Sequence, residues 1–151
     1  MKILFIGFGN VAKEMARIFM EKKLYPCLEI SPEVIGIFTG RHGGLEKSEG
    51  IDLNAVLSEL RLNNRLAADA RELSSLTPLE AAENLDYDVL VELSALSIKG
   101  KGEPAASHIR AALRRGKSVA SANKGPVSFS YGELKDLAEM NGALYLFESA
   151  G

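Results

Sequence analysis

The sequence has one cysteine, no tryptophan and only two histidines in 151 residues. A lone Cys27 can form no internal disulfide, which fits a reducing compartment. With so few His and Cys, and none at ligand spacing, no metal site is expected. Long apolar runs are missing too. A bilayer span needs roughly 18–20 apolar residues, whereas the N-terminal "MKILFIGFGN" is interrupted by Gly7 and Gly9. Neither a signal peptide nor a membrane anchor is therefore expected, and a cytoplasmic location is. An excess of one charge is also absent: 18 basic against 20 acidic side chains leave a formal charge of -2. Nothing in that balance draws the chain to nucleic acid or to an anionic membrane.

What is present is the composition of a soluble globular domain, 46% hydrophobic and 25% charged. The length suits one domain, residues 1–151. "KILFIG" is too short for a helix and stops at glycine, so it reads as a buried strand. "NVAKEMARIFMEKK" follows with Val11, Met15, Ile18 and Phe19 on one face, a helix with Asn10 as a plausible cap. "EVIGIFTG" is a second strand, and the polar, glycine-rich "RHGGLEKSEG" reads as a loop.

Asp52 caps a helix over "DLNAVLSELRL", and "TPLEAAENL" holds Thr77, Pro78 and Glu80 in the order of a capping box. Residues 60–76 fit less well and leave room for a short strand. "YDVLVELSAL" is a third clear strand. "GEPAASHIRAALRRGK" predicts a helix from about Glu103 and Pro104 to Gly116. "SVASAN" is a fourth strand, broken by Gly125 and Pro126. "YGELKDLAEMNG" is a last helix and "ALYLFE" a fifth strand. Alternation of this kind predicts an α/β fold of Rossmann-like, doubly wound type: a mostly parallel sheet with helices on both faces.

"IGFGNVA" sets Gly7, Gly9 and Ala12 in a G-x-G-x-x-A pattern between a strand and a helix. Gly7 permits the tight turn, Gly9 lets a pyrophosphate approach the backbone, and Ala12 lets the helix lie close to the strand. The amides at the helix N-terminus and the positive end of its dipole then face the phosphates. A tight βα turn with no ligand is the plain alternative. An acidic residue for the ribose of NAD belongs at the end of the second strand. Thr39, Arg41 and His42 stand there instead, and an arginine suits the 2′-phosphate of NADP. NADP is thus preferred over NAD, with a solvated loop arginine as the alternative.

Among the remaining candidates, Glu92 occupies an apolar strand, a costly place for an unpaired carboxylate. His108 reads as a surface or capped residue, and Met15, Met20 and Met140 as core residues at helical spacing. Asn123 and Lys124 stand at the tip of a strand. Without further information Lys124 is simply where that strand reaches water.

Three stretches, "GFGNVA", "ELSAL" and "GEPAASHIRAALRRGKSVASANKGPV", resemble the nucleotide-binding domain of homoserine dehydrogenase. The resemblance covers nearly the whole chain but only the first domain of that family. It implies NAD(P)H-dependent reduction of L-aspartate 4-semialdehyde to L-homoserine, on the route to threonine and methionine. It implies that Gly7, Phe8, Gly9, Asn10 and Val11 form the cofactor loop, and that Ser94 and Ala95 run along the nicotinamide side. Asn123 and Lys124 match the family's Ala-Asn-Lys motif, whose lysine lies at the active site. Lys124 is thereby implied as the catalytic residue, with Asn123 orienting ligand groups and Gly125 and Pro126 fixing the loop. Glu148 stands where the family also carries Glu. The substrate domain is expected to be absent from this chain, which alone would bind cofactor without turnover, the full-length enzyme being a homo-oligomer. A stand-alone NAD(P)-binding module remains the alternative.

Overall fold

The first apolar run becomes β1 (Lys2–Ile6), the strand around which the sheet is laid out. The computed structural model describes residues 1–21 and 31–148; Cys27 lies outside them. Among the described residues β1 pairs in parallel with β2 (Glu33–Thr39) on one side. β3 (Gly43–Glu46) returns antiparallel on β2. On the other side of β1 come β4 (Val89–Glu92), β5 (Ser118–Ser121) and β6 (Tyr145–Phe147), all parallel. The resulting order is β3-β2-β1-β4-β5-β6. The chain winds outward from β1 in one direction and from β4 in the other, so the switch between them lies at the centre of the sheet.

The pleat of β1 sends Ile3 and Phe5 to one face and Leu4 and Ile6 to the other. Ile3 and Phe5 pack with Ala12 and Ala16 of α1 (Asn10–Met20) and with Val56 and Leu60 of α2 (Leu53–Asn63). Leu4 and Ile6 pack with α3 (Pro78–Asn84), α4 (Ala105–Arg114) and α5 (Lys124–Met140). Phe5 is fully buried, and burial of a side chain of that size contributes about 2–3 kcal/mol. Helices thus cover both faces, as the alternation of elements predicts. The cover is uneven on the α1 side. There Leu146 is 60% exposed and borders, with Ala120, Val11 and Met15, an open hollow of about 300 Å³. Among the described residues no helix is long and apolar enough to cross a membrane.

Local signals were realised where they were strong. The Asp52 carboxylate accepts from the Ala55 N–H, and Thr77 and Glu80 form the reciprocal capping box ahead of Pro78. Other expectations require correction. Gly9, not Asn10, is the N-cap of α1. Val11 does not join the buried stripe of that helix: it is 57% exposed, and the small Ala12 and Ala16 take the inner positions. Met20 and Met140 are likewise exposed rather than core. "RHGGLEKSEG" is not all loop, because β3 forms within it. Residues 60–76 give a 3-10 turn at Ala70–Glu72 and a single bridge from Ser74 to Gly44 instead of a strand.

The largest correction concerns α5. Gly125 and Pro126 do not break the chain; they lie in the first turn of this helix. Proline is tolerated there because the N–H it lacks would have no intrahelical acceptor.

Candidate functional site

The carboxyl ends of β1, β4, β5 and β6 open onto one crevice, and the glycine turn forms its first wall. Gly7 has φ +87° and donates its N–H to Phe38 O at 2.8 Å. A Cβ at Gly7 would stand 2.4 Å from the Leu93 carbonyl and 2.5 Å from the Ser94 nitrogen. Gly7 is therefore required by the close approach of the β1 and β4 tips. Gly9 differs: a Cβ there would meet no protein atom within 4 Å. The N-terminus of α1 receives no side-chain cap, so its first N–H groups lack the usual partner. Gly9, Asn10, Val11 and Ala12 line, with Leu93, Ser94 and Ala122, a cavity of about 230 Å³. Uncapped amides at the positive end of a helix dipole, beside a glycine that leaves room, fit the pyrophosphate of a dinucleotide.

Phe8 contributes backbone only. Its ring is buried and meets Phe5 edge-on, centroids 5.5 Å apart. Thr39 Oγ1 donates to Gly43 O at 3.1 Å and accepts from the His42 N–H at 2.7 Å. The hydroxyl thereby closes the β2–β3 turn, which commits its proton to the fold. Arg41 is exposed at the apex of that turn, at the carboxyl end of β2.

Across the crevice, β5 delivers Ala122, Asn123 and Lys124. Ala122 borders the cavity at the glycine turn and also a second one of about 370 Å³. This second cavity is lined by Ser121, Asn123, Lys124, Ser128, Phe147 and Glu148, among others. The structure therefore brings the glycine turn and the Asn-Lys tip to one crevice, with Ala122 common to both ends. Lys124 is exposed at the first position of α5. A cation at a helix N-terminus sits at the unfavourable end of the dipole, at a cost of about 0.3–1 kcal/mol, so helix stability does not account for it.

Asn123 has a structural part beside the one expected. It is buried, its Oδ1 accepts from the Gly125 N–H at 3.1 Å, and its Nδ2–H donates to Ser94 O at 3.0 Å. The amide caps α5 and ties it to the tip of β4, and Asn123 also lines the second cavity. Ser94 is half-buried and Ala95 exposed on that tip. Glu148 is exposed and shares the second cavity with Lys124.

Sequence reasoning treated Glu92 and His108 separately; the structure pairs them. Glu92 is fully buried, and His108 is 4% exposed rather than on the surface. His108 Nδ1 lies 2.8 Å from Glu92 Oε2. Two signals foreshadow the pair: a carboxylate within an apolar strand needs a partner, and His108 shares the apolar stripe of α4 with Ala105, Ile109 and Ala112. Among the described residues no cluster of three or more His, Cys, Asp or Glu is placed to hold a metal ion. A larger hollow of about 630 Å³ lies between α1 and α2, away from the tips of β4 and β5.

A family model described as the NAD-binding domain of homoserine dehydrogenase matches residues 7–148. A homoserine dehydrogenase of Methanocaldococcus jannaschii is 25% identical over 99% of this chain and 44% of its own length. An NAD(+)-dependent homoserine dehydrogenase of Pseudomonas canavaninivorans is 28% identical over 99% of the chain and 43% of its own length. A solved hyperthermophilic archaeal homoserine dehydrogenase in complex with NADPH superposes with a TM-score of 0.82 at 28% identity. That match covers 98% of this chain and 43% of the archaeal one. The chain thus spans less than half the length of these relatives.

Proposed function

The chain belongs to the family of homoserine dehydrogenase NAD-binding domains, and from that premise we propose that it is the nucleotide-binding portion of a homoserine dehydrogenase. In this reading it binds NAD(P)H and contributes Lys124 to the reduction of L-aspartate 4-semialdehyde to L-homoserine. The observation that supports it best is the crevice in which an uncapped helix N-terminus and an open Gly9 face the tip that carries Lys124.

The bound dinucleotide supplies the hydride. The chain's own residues do the rest. Amides at Gly9, Asn10 and Val11 hold the pyrophosphate, and Ser94 and Ala95 flank the nicotinamide half. Arg41, at a strand end without a carboxylate, takes the 2′-phosphate and so favours NADPH over NADH. Lys124 directs its ammonium at the substrate carbonyl oxygen, where it offsets the developing charge and supplies the proton the oxygen needs. Asn123 acts at one remove, holding α5 and the tip of β4 in register. The 151 residues form one dinucleotide-binding domain, with the substrate-binding domain and the subunit contacts of a homo-oligomer outside them. Alone, they bind the cofactor without turning over the semialdehyde.

Titration of the chain with NADPH and with NADH, repeated on Arg41→Ala, tests the cofactor assignment. Loss of one charged hydrogen-bond pair weakens NADPH roughly 10- to 100-fold and leaves NADH unchanged. Equal affinities for both cofactors in both proteins would remove the role given to Arg41. Failure of both cofactors to bind would remove the reading itself.

A further inference from the structure

Glu92 ends β4 with no exposed surface. In the sheet it stands opposite Ile6 of β1 and Ser121 of β5. Its carboxyl group has three close polar partners. Oε2 faces His108 Nδ1 at 2.8 Å, while Oε1 accepts the Ser94 N–H at 2.8 Å and the Ser94 hydroxyl. His108 Nδ1 and Glu92 Oε2 share one proton across their contact. The network closes on itself: Ser121 Oγ donates to Glu92 O at 3.1 Å and accepts from the Asn123 N–H at 3.0 Å. Asn123 in turn donates to Ser94 O.

Stability gives no reason for such a pair, because well-packed apolar residues in its place are often neutral or better. Its geometry does give one. Ser94 has a single hydroxyl proton, and that proton is committed to Glu92, which leaves its lone pairs for the cavity it shares with residues 9–12. We propose that Glu92 and His108 are positioning residues that lock Ser94 with its proton turned inward, so that the tip of β4 offers the dinucleotide an acceptor. This rests on the dinucleotide reading above. The ligand groups such an acceptor takes are donors, a ribose hydroxyl or the carboxamide N–H. A phosphate oxygen finds no hydroxyl proton at Ser94, so that group favours the nicotinamide half over the phosphates.

The test compares NADPH with 2′,5′-ADP, which has the phosphorylated adenine half and no nicotinamide half, as ligands of the 151-residue chain. Glu92→Leu and Ser94→Ala each weaken NADPH about tenfold, the worth of one well-made hydrogen bond, and leave 2′,5′-ADP affinity as it was. Glu92→Gln retains most of the NADPH affinity, since its amide oxygen still accepts from Ser94, and Ser94→Thr does the same through its own hydroxyl. A merely structural role would weaken both ligands together, and that result overturns the proposal, as does unchanged NADPH binding by Ser94→Ala. If Glu92→Leu does not fold, Ser94→Ala with Ser94→Thr decides alone. Wild-type chain that binds neither ligand sinks the dinucleotide reading and this inference with it; wild-type binding with unresponsive variants sinks this inference only.

Discussion

Two glycines separated by one residue are expected to answer the same substitution in opposite ways. At Gly7 the backbone has φ +87°, a conformation that costs an alanine about 1–2 kcal/mol. The added methyl would also stand 2.4 Å from Leu93 backbone atoms. Backbone cannot rotate aside as a side chain can, so the β1 and β4 tips must part, at about 1–3 kcal/mol more. Gly7→Ala therefore loses about 3 kcal/mol, a large share of the 5–15 kcal/mol that holds a typical domain together, and melts about 6–12 °C lower. At Gly9 the φ is -85° and the methyl meets nothing. Gly9→Ala should change stability by no more than about 0.5 kcal/mol, yet weaken NADPH at least about tenfold by standing where the pyrophosphate approaches the amides. Thermal unfolding by circular dichroism and a fluorescence titration with NADPH read the two effects separately. A Gly9→Ala protein that binds like wild type, or a Gly7→Ala protein that melts like it, would refute the division of labour.

Other outcomes follow from single groups. Thr77→Ala removes half of the α3 capping box and should cost about 1 kcal/mol in urea unfolding. The Glu80 carboxyl, which accepts the Thr77 N–H at 2.7 Å, is held below its ordinary value of 4.5 by that bond and by the Thr77 side chain. A depressed value means that its contribution is present above pH 4.5 and lost as pH falls through the folded-state value. Glu80→Gln should accordingly flatten the acid limb of stability against pH, and superimposable limbs would contradict this. Tyr87 is fully buried and donates to Ala82 O at 2.6 Å; burial pushes its phenol up to about 12, with Arg115 opposing. Stability from this group is intact below pH 10 and lost as pH rises toward 12, which phenolate absorbance recorded alongside unfolding will show.

The doubly wound order was legible because its evidence is local: apolar runs stopped by glycine, amphipathic helices, and caps at Asp52 and Thr77. β3 was not, since "GGLE" carries no β-branched or aromatic residue. It pairs because the three-residue turn at 40–42 returns it on β2 and because Gly44 admits the Phe38 ring, which a Cβ there would meet at 2.3 Å. The start of α5 was misread because proline served as a stop signal, whereas in the first turn of a helix it is compatible with continuation. In the crevice, the glycine turn and Lys124 were readable from their motifs. The inward commitments of Thr39 and Asn123 and the pairing of Glu92 with His108 were not. The Thr39 bonds follow from the unforeseen β2–β3 turn, and the others depend on which strand tips and helices meet in space, over separations of 16 and 29 residues.

Because β3 folds back on β2 directly instead of through a helical crossover, Arg41 stands exposed in a hairpin turn at the edge of the sheet. Gly40 and Arg41 lie in solvent, while the Thr39 hydroxyl and the Thr39–Gly43 ladder pair secure the bend. Exchanges at the apex consequently leave the two hydrophobic clusters untouched. Under the role proposed for Arg41, preference between phosphorylated and unphosphorylated coenzyme can then change in the course of evolution without passing through a poorly folded ancestor.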